Sequence, residues 1–229
     1  TTQGSRTDLK YLKKIIDKTI DSNRHKKPNE KLVSPLLECF ENQFSNTVRY
    51  HNGLRKYHEL RQNANCQRVL IDGKIQVEIH WGDSGTGKSH GAHERYPCAF
   101  PYDCSQRGFW GEGATAYNGE DTVIFNDFSG EYPWCQLKRV LDKYSISVNT
   151  KGSSAPLLAN RFIFTSNTPY TEWYKKETDK NPEELNAFKR RITHLYHYEK
   201  TSKHTATRRQ YDIETNEPME NAVIVYSTD

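Results

Sequence analysis

Apolar positions along the chain change period twice. Behind a candidate N-cap at Thr7, Leu9, Leu12, Ile15, Ile16 and Ile20 recur at spacings of three and four, which predicts an amphipathic helix. A polar break, DSNRHKKPNE, follows. A second helical stripe starts at the N-cap and N1 pair Ser34–Pro35 and carries Leu36, Leu37, Phe40, Phe44 and Val48. It falters around Asn52–Gly53 and resumes through Leu54, Tyr57 and Leu60. The period then shortens to two, because KIQVEIHW sets Ile75, Val77, Ile79 and Trp81 on one side of a strand. Two later runs, in DTVIFNDF and NRFIFTSN, are continuously apolar, as expected of strands covered on both faces. The helical pattern WCQLKRVLDKY lies between them.

Strands alternating with helical segments predict an α/β fold with a parallel central sheet. The chain therefore divides into a small helical domain over residues 1–65, an α/β domain over residues 66–200 and a polar C-terminal stretch over residues 201–229. Within the last, AVIVY reads as an edge strand or part of a loose tail. The helical part reads either as a domain with an ordinary core or as a collar that packs protomers together.

Composition narrows the classes open to this chain of 229 residues. A charged fraction of 27% describes a wet surface, and no apolar run reaches the roughly 18 residues that a membrane-spanning helix needs. There is no signal-peptide core, and the first residue is Thr1, so the chain reads as a piece of something longer. Cys39, Cys66, Cys98, Cys104 and Cys135 form no C-x-x-C pair, and their odd number argues against a disulfide framework and for a reducing environment. A net charge of +4 permits nucleic-acid binding without requiring it.

The chemistry concentrates after the alternating strand. Gly82, Asp83, Ser84, Gly85, Thr86, Gly87, Lys88 and Ser89 satisfy the P-loop pattern G-x-x-x-x-G-K-S in full. Glycines let backbone N–H groups curl around phosphate oxygens, and the following helix adds the positive end of its dipole. Lys88 is expected to reach the β- and γ-phosphates of a nucleotide, and the Ser89 hydroxyl to hold Mg²⁺. The run VIF then delivers Asn126 and Asp127 to the C-terminal end of a strand, where sites on α/β sheets assemble. A hydrolase is expected to carry two acids there. Asp127 can bind Mg²⁺ directly or through water, whereas Asn126 can accept a hydrogen bond from water but cannot take its proton. That substitution touches hydrolysis more than binding. Ser166 and Asn167, ending the next strand, read either as turn chemistry or, for Asn167, as a side chain orienting water against a γ-phosphate.

In order, GDSGTGKS, VIFNDFSG, VNTKGSSAPLLANRFIFTSN and FKRRITHLY resemble the superfamily 3 helicase domain of replication-associated (Rep) proteins from circular single-stranded DNA viruses, circovirus-like ones especially. The resemblance runs from Ile75 to Tyr198 and implies an AAA+-like P-loop NTPase. It further implies a homo-oligomeric ring, a hexamer, with ATP and Mg²⁺ between subunits and single-stranded DNA in the channel. Carried onto this chain, it makes Lys88 and Ser89 the phosphate and metal contacts, Asp127 the retained acid and Asn167 the polar sensor. Lys151 and Gly152 fall on a hairpin that grips the DNA backbone, a role needing charge and reach rather than base readout. Arg190 and Arg191 are both candidates for an arginine finger acting on the neighbouring subunit's nucleotide. Asn126 departs from the pattern, since many relatives have an acid at that position. The resemblance also implies an N-terminal nicking nuclease in the parent protein and action in the host nucleus. No histidine pair separated by one residue marks that nuclease here; Tyr11 and Lys14 match its Y-x-x-K spacing inside a helical stripe, as a coincidence or remnant. His90 and His93 stand one turn apart without further ligands, so no metal site is read there.

Three other readings stay open at this level. One is a nucleotide-gated DNA scaffold with impaired hydrolysis, given Asn126. Another is an RNA-virus superfamily 3 ATPase, against which the TKG hairpin and the RRIT ending speak. The last is a P-loop kinase of small molecules.

Overall fold

In the computed structural model, which describes residues 6–27, 29–64, 67–219 and 221–226, the chain opens with three helices. These are α1 (Thr7–Arg24), α2 (Pro35–Asn42) and α3 (Phe44–Asn63). Leu12, Ile16 and Ile20, one helical turn apart on α1, are buried against Cys39 and Leu54 in a small apolar core of their own. Ser34 caps α2 by accepting from Leu37 N–H, with Pro35 in the first turn, as its sequence predicts. Thr7 does not cap α1: the helix starts at Thr7 and the residue before it, Arg6, makes no side-chain cap.

The break in the second stripe also lies elsewhere than expected. The helix runs unbroken through Asn52 and Gly53, where no atom comes within 4 Å of a Cβ position on Gly53, and the chain bends instead at Gln43 (φ −149°). The Thr47 hydroxyl, buried in the elbow, lies 2.8 Å from both the Cys39 and Gln43 carbonyl oxygens and so supports the bend. Leu37, Phe44, Val48 and Leu60, which the stripe places on the apolar face, are exposed and do not join the core.

Next come β1 (Gln76–Gly82), α4 (Lys88–Arg95), β2 (Phe100–Tyr102), β3 (Thr122–Phe125) and α5 (Trp134–Val140). A hairpin of β4 (Ser147–Thr150) and β5 (Ser153–Pro156) precedes β6 (Arg161–Ser166). Then follow α6 (Lys175–Lys180), α7 (Pro182–Lys189), β7 (His194–Lys200), β8 (Thr205–Tyr211) and β9 (Val223–Tyr226). Seven strands make one sheet in the order β2-β3-β6-β1-β7-β8-β9. The first five run parallel, β8 adds antiparallel to β7, and β9 adds antiparallel to β8. The fold is thus mixed α/β with a mostly parallel central sheet. AVIVY supplies the edge strand β9, while β8, whose TATRRQY carries no apolar alternation, had no signal in the sequence.

Both faces of the inner strands are covered. On one face Val77, Ile79, Val123, Phe125, Phe162 and Phe164 enter the main core, where Phe125 and Phe164 stack with ring centroids 4.7 Å apart. On the other, Ile124 and Ile163 pack against Ala92 and Tyr96 of α4 and the residue after it. β1 differs from its neighbours because its second face is polar. Glu78 and His80, which the alternation places as if on a wet side, are both buried. His80 Nε2 lies 3.5 Å from Glu78 Oε2, its Nδ1 is hydrogen-bonded with the Tyr198 hydroxyl at 2.9 Å, and Arg95 and Arg161 approach the same carboxylate. Burial pushes the Glu78 carboxyl up, but the His80 hydrogen bond and the nearby Arg95 charge outweigh it and hold the group below its ordinary range, while burial keeps His80 below its own ordinary value.

A second buried charge ties the segment before β1 to the sheet. The Arg68 guanidinium donates to the carbonyl oxygens of Ala159 (2.6 and 2.9 Å), Val140 (3.0 Å) and Asp142 (2.5 Å), and lies over the Phe162 ring. Burial pulls its pKa down to about 10, so it remains a cation at neutral pH.

Two expectations follow from these groups. Arg68→Ala leaves several buried carbonyls without donors and is expected to cost about 3 kcal/mol in urea unfolding. Arg68→Lys is expected to recover less than half of that, because one ammonium cannot reproduce the fork. His80, His58 and His197 are all lowered, chiefly by burial, so the unfolded chain binds protons that the folded chain resists. Stability is therefore expected to be full above the ordinary histidine value near 6.5 and to fall as pH drops through it. A His80→Gln variant should show a shallower decline over the same range, read from unfolding midpoints.

Candidate functional site

The site forms where β1 turns abruptly into α4. Gly82 ends the strand at φ +135°, and a Cβ there would fall 1.9 Å from the Tyr198 carbonyl oxygen on β7, so the turn requires glycine. Asp83 N–H donates to that same carbonyl at 3.1 Å, while the Asp83 carboxylate accepts from Lys200 N–H at 3.0 Å. Asp83, Ser84 and Gly85 are exposed, and the buried Thr86 closes the loop by donating from its hydroxyl to Asp83 O at 2.8 Å. Gly87, in the left-handed region at φ +79°, starts α4 and leaves the first N–H groups of the helix facing the loop.

Lys88 is folded back into this loop and buried. Its Nζ donates to Gly82 O (2.9 Å), Asp83 O (2.5 Å) and Asn167 Oδ1 (3.3 Å). Burial lowers its pKa from the ordinary lysine value, opposed by the negative charges of Asp127 and Asp83. These acceptors, with the Thr86 hydroxyl at 3.4 Å, are all oxygens, as those of a phosphate would be.

The strand order brings the remaining groups in. β6 lies between β1 and β3, so Asn167 just after β6 stands between the loop and the pair Asn126–Asp127 just after β3. Thr165 on β6 links the two sides: its hydroxyl is hydrogen-bonded with the Ser89 hydroxyl at 2.9 Å and accepts from Asp127 N–H at 3.2 Å. Asp127 is exposed and takes φ +48°, a left-handed conformation uncommon for a residue with a side chain. Ser166 and Asn167 divide the two readings of their sequence. Ser166 is turn chemistry, bonded with Thr168 and with the Trp173 indole, and Asn167 meets Lys88.

Asn126 is held from α4. Its Nδ2 lies 2.9 Å from His93 Nε2, and its Oδ1 is buried without a hydrogen-bond partner. No group of three or more His, Cys, Asp and Glu side chains suited to a metal occurs among the described residues. Side chains here that could offer oxygen to a cation include Ser89, Asp127 and the Asn126 amide.

The other predicted residues lie outside this cluster. Lys151 and Gly152 form the turn of the β4–β5 hairpin, with Gly152 at φ +82°. Lys151 N–H donates to Gly111 O at 3.0 Å, and its ammonium pairs with Glu112 at 3.0 Å, both side chains being more than half exposed. Arg190 and Arg191 line a cleft of about 710 Å³ with Lys138 and Arg139, and no residue of the Gly82–Ser89 loop lines it. Arg191 is engaged by Asp142 at 3.0 Å, whereas the Arg190 guanidinium is exposed and unpaired among the described residues. Cys39, Cys98, Cys104 and Cys135 are free thiols, and Cys66 lies outside the described residues.

Sequence reasoning missed Thr165, Glu112 and His93. Thr165 had a signal, a polar residue inside an otherwise apolar strand end. His93 has no signal beyond its one-turn spacing from His90, because its partner Asn126 lies 33 residues along the chain.

A mostly parallel α/β sheet with a glycine-bounded strand-to-helix loop and polar groups converging at the strand ends is the class that fold and site define. No family model matches the chain. It is 37% identical to the replication-associated protein of beak and feather disease virus over 56% of this chain and 40% of that protein. It is 39% identical to that of goose circovirus over 58% of this chain and 42% of the relative, and 33% identical to that of Chaetoceros protobacilladnavirus 2 over 62% and 31%. The chain is therefore Rep-like, and its match spans well under half the length of each of these relatives.

Proposed function

We propose that the chain is the ATP-driven helicase module of a viral replication initiator, a P-loop NTPase of superfamily 3 type that forms a ring around single-stranded DNA. The observation that carries this reading is the convergence of Lys88, Asn167, Ser89, Thr165 and Asp127 at the carboxyl ends of three adjacent parallel strands. Backbone N–H groups after Gly87 and the Lys88 ammonium suit a triphosphate, and Ser89 and Asp127 suit its Mg²⁺. Bound there, Mg²⁺ would offset charge on the phosphates. Asp127 accepts a proton or orients water, and Asn167 positions water while its link to Lys88 fixes its own side chain. The names of the similar proteins support replication of circular single-stranded DNA as the setting and favour this reading over an RNA-virus ATPase or a small-molecule kinase.

Lys151, at a glycine-containing tip, is the phosphate contact proposed for DNA. Between the arginines, the exposed and unpaired Arg190 suits a finger reaching a neighbouring subunit, because Arg191 is already committed to Asp142. The outward apolar row Leu37, Phe44 and Val48 is proposed to meet another subunit of the ring. A second reading, a nucleotide-gated scaffold with weak turnover, is favoured by an amide, Asn126, standing beside Asp127 just after β3, where a hydrolase is expected to carry a second acid.

Steady-state ATP turnover with and without single-stranded DNA tests the motor. DNA-stimulated turnover that Lys88→Ala lowers about 100-fold or more is expected. A silent parent rescued by Asn126→Asp points to the scaffold, and turnover indifferent to DNA from a strict monomer contradicts both. For assembly, Phe44→Asp combined with Val48→Asp is expected to shift sedimentation from a multimer to a monomer while leaving the fold's circular dichroism unchanged.

A further inference from the structure

The amide at position 126 is not left loose in the site. His93, five residues into the helix that begins at Lys88, brings Nε2 to 2.9 Å from Asn126 Nδ2. An amide nitrogen only donates, so His93 Nε2 must accept, which places the imidazole proton on Nδ1. The consequence falls on the other end of the amide. With Nδ2 committed to His93, Oδ1 is turned away from it, buried and without a partner. A buried carbonyl oxygen without a donor is costly, and in a site that otherwise satisfies its polar groups it marks a place for a ligand or its water. The backbone here is fixed as well, because Asp127 N–H is held by Thr165 and the Cys104 thiol lies 3.9 Å from Asn126 O.

We propose that His93 is a positioning residue for nucleotide turnover: it holds the Asn126 amide oxygen-forward, so that Oδ1 offers a neutral acceptor to the water shell of a magnesium nucleotide. This rests on the proposed nucleotide site. Turned the other way, the amide would present an N–H where water donors and a cation must approach, and the site would repel what an acid at that position attracts. His93 therefore lets an amide serve in the orienting part of a carboxylate's work, though not in proton transfer, which stays with Asp127. Aspartate at position 126 has two equivalent oxygens and does not need this restraint.

The test joins a structural readout to a functional one. Nitrogen-15 NMR of the nucleotide-free chain should find His93 Nε2 accepting from the Asn126 amide with the ring proton on Nδ1; a proton on Nε2 overturns the proposal. His93→Ala is expected to lower kcat about 10-fold, as loss of a group that orients a ligand does, with KM changed less than about threefold. His93→Gln, whose side-chain oxygen can accept from Nδ2, should restore most of the loss. In an Asn126→Asp background His93→Ala should cost less than about threefold, whereas an equal loss in both backgrounds assigns His93 a merely structural role. The same variants are compared for ATP affinity with Mg²⁺ and with a chelator, and His93→Ala should reduce the gain that Mg²⁺ gives. If the parent chain binds no magnesium nucleotide, the proposed function fails and this inference with it. If binding is normal and His93→Ala changes neither readout, this inference alone fails.

Discussion

The close contact between Gly82 and the Tyr198 carbonyl is the constraint on which the site depends. It forces the chain off β1 at a point where no side chain fits, and it fixes the turn against β7 through the Asp83 N–H bond to the same oxygen. From there the loop has few residues in which to reach α4, so Lys88 emerges under the loop and its ammonium is covered by the loop's own carbonyls. The parallel pairing of β1 with both β6 and β7 then decides what Lys88 faces. Because β6 intervenes between the strand of the loop and the strand of the acid, Asn167 and Thr165 become the bridge between them.

The same strand explains why the fold has a polar interior on one face. β1 is central, so neither of its faces reaches water, yet its sequence alternates. Glu78 and His80 are accommodated by gathering Arg95, Arg161 and Tyr198 around them, so that the buried carboxylate faces cations and the imidazole meets a hydroxyl. The network lies beneath α4, the helix that carries Lys88, Ser89 and His93. Arg68 solves a comparable problem outside the sheet, where it gathers carbonyls that no regular structure satisfies.

Much of this was legible in the sequence because the signals were local. The P-loop pattern named each residue of the turn, continuous apolar runs marked β3 and β6 as doubly covered, and the glycine in NTKGSS marked the hairpin tip. What was not legible depended on partners far along the chain. The bend at Gln43 interrupts no apolar period, because Phe44 and Val48 continue it, and only the buried Thr47 hydroxyl reveals the cause. Strand β8 has no alternating pattern and forms because β7 offers it an edge. His93 acquires meaning only when β3 is laid against α4, and the engagement of Arg191 by Asp142 appears only when α7 meets the end of α5.

The proposed function stands or falls on whether the loop from Gly82 to Ser89 binds a magnesium nucleotide through Lys88. Calorimetric titration of the chain with ATP in Mg²⁺, beside its Lys88→Ala variant, tests it most directly, since binding is read without turnover, DNA or assembly. Saturable binding by the parent and its loss in the variant are expected. Binding that survives Lys88→Ala unchanged, or its absence from a folded parent chain, would contradict it.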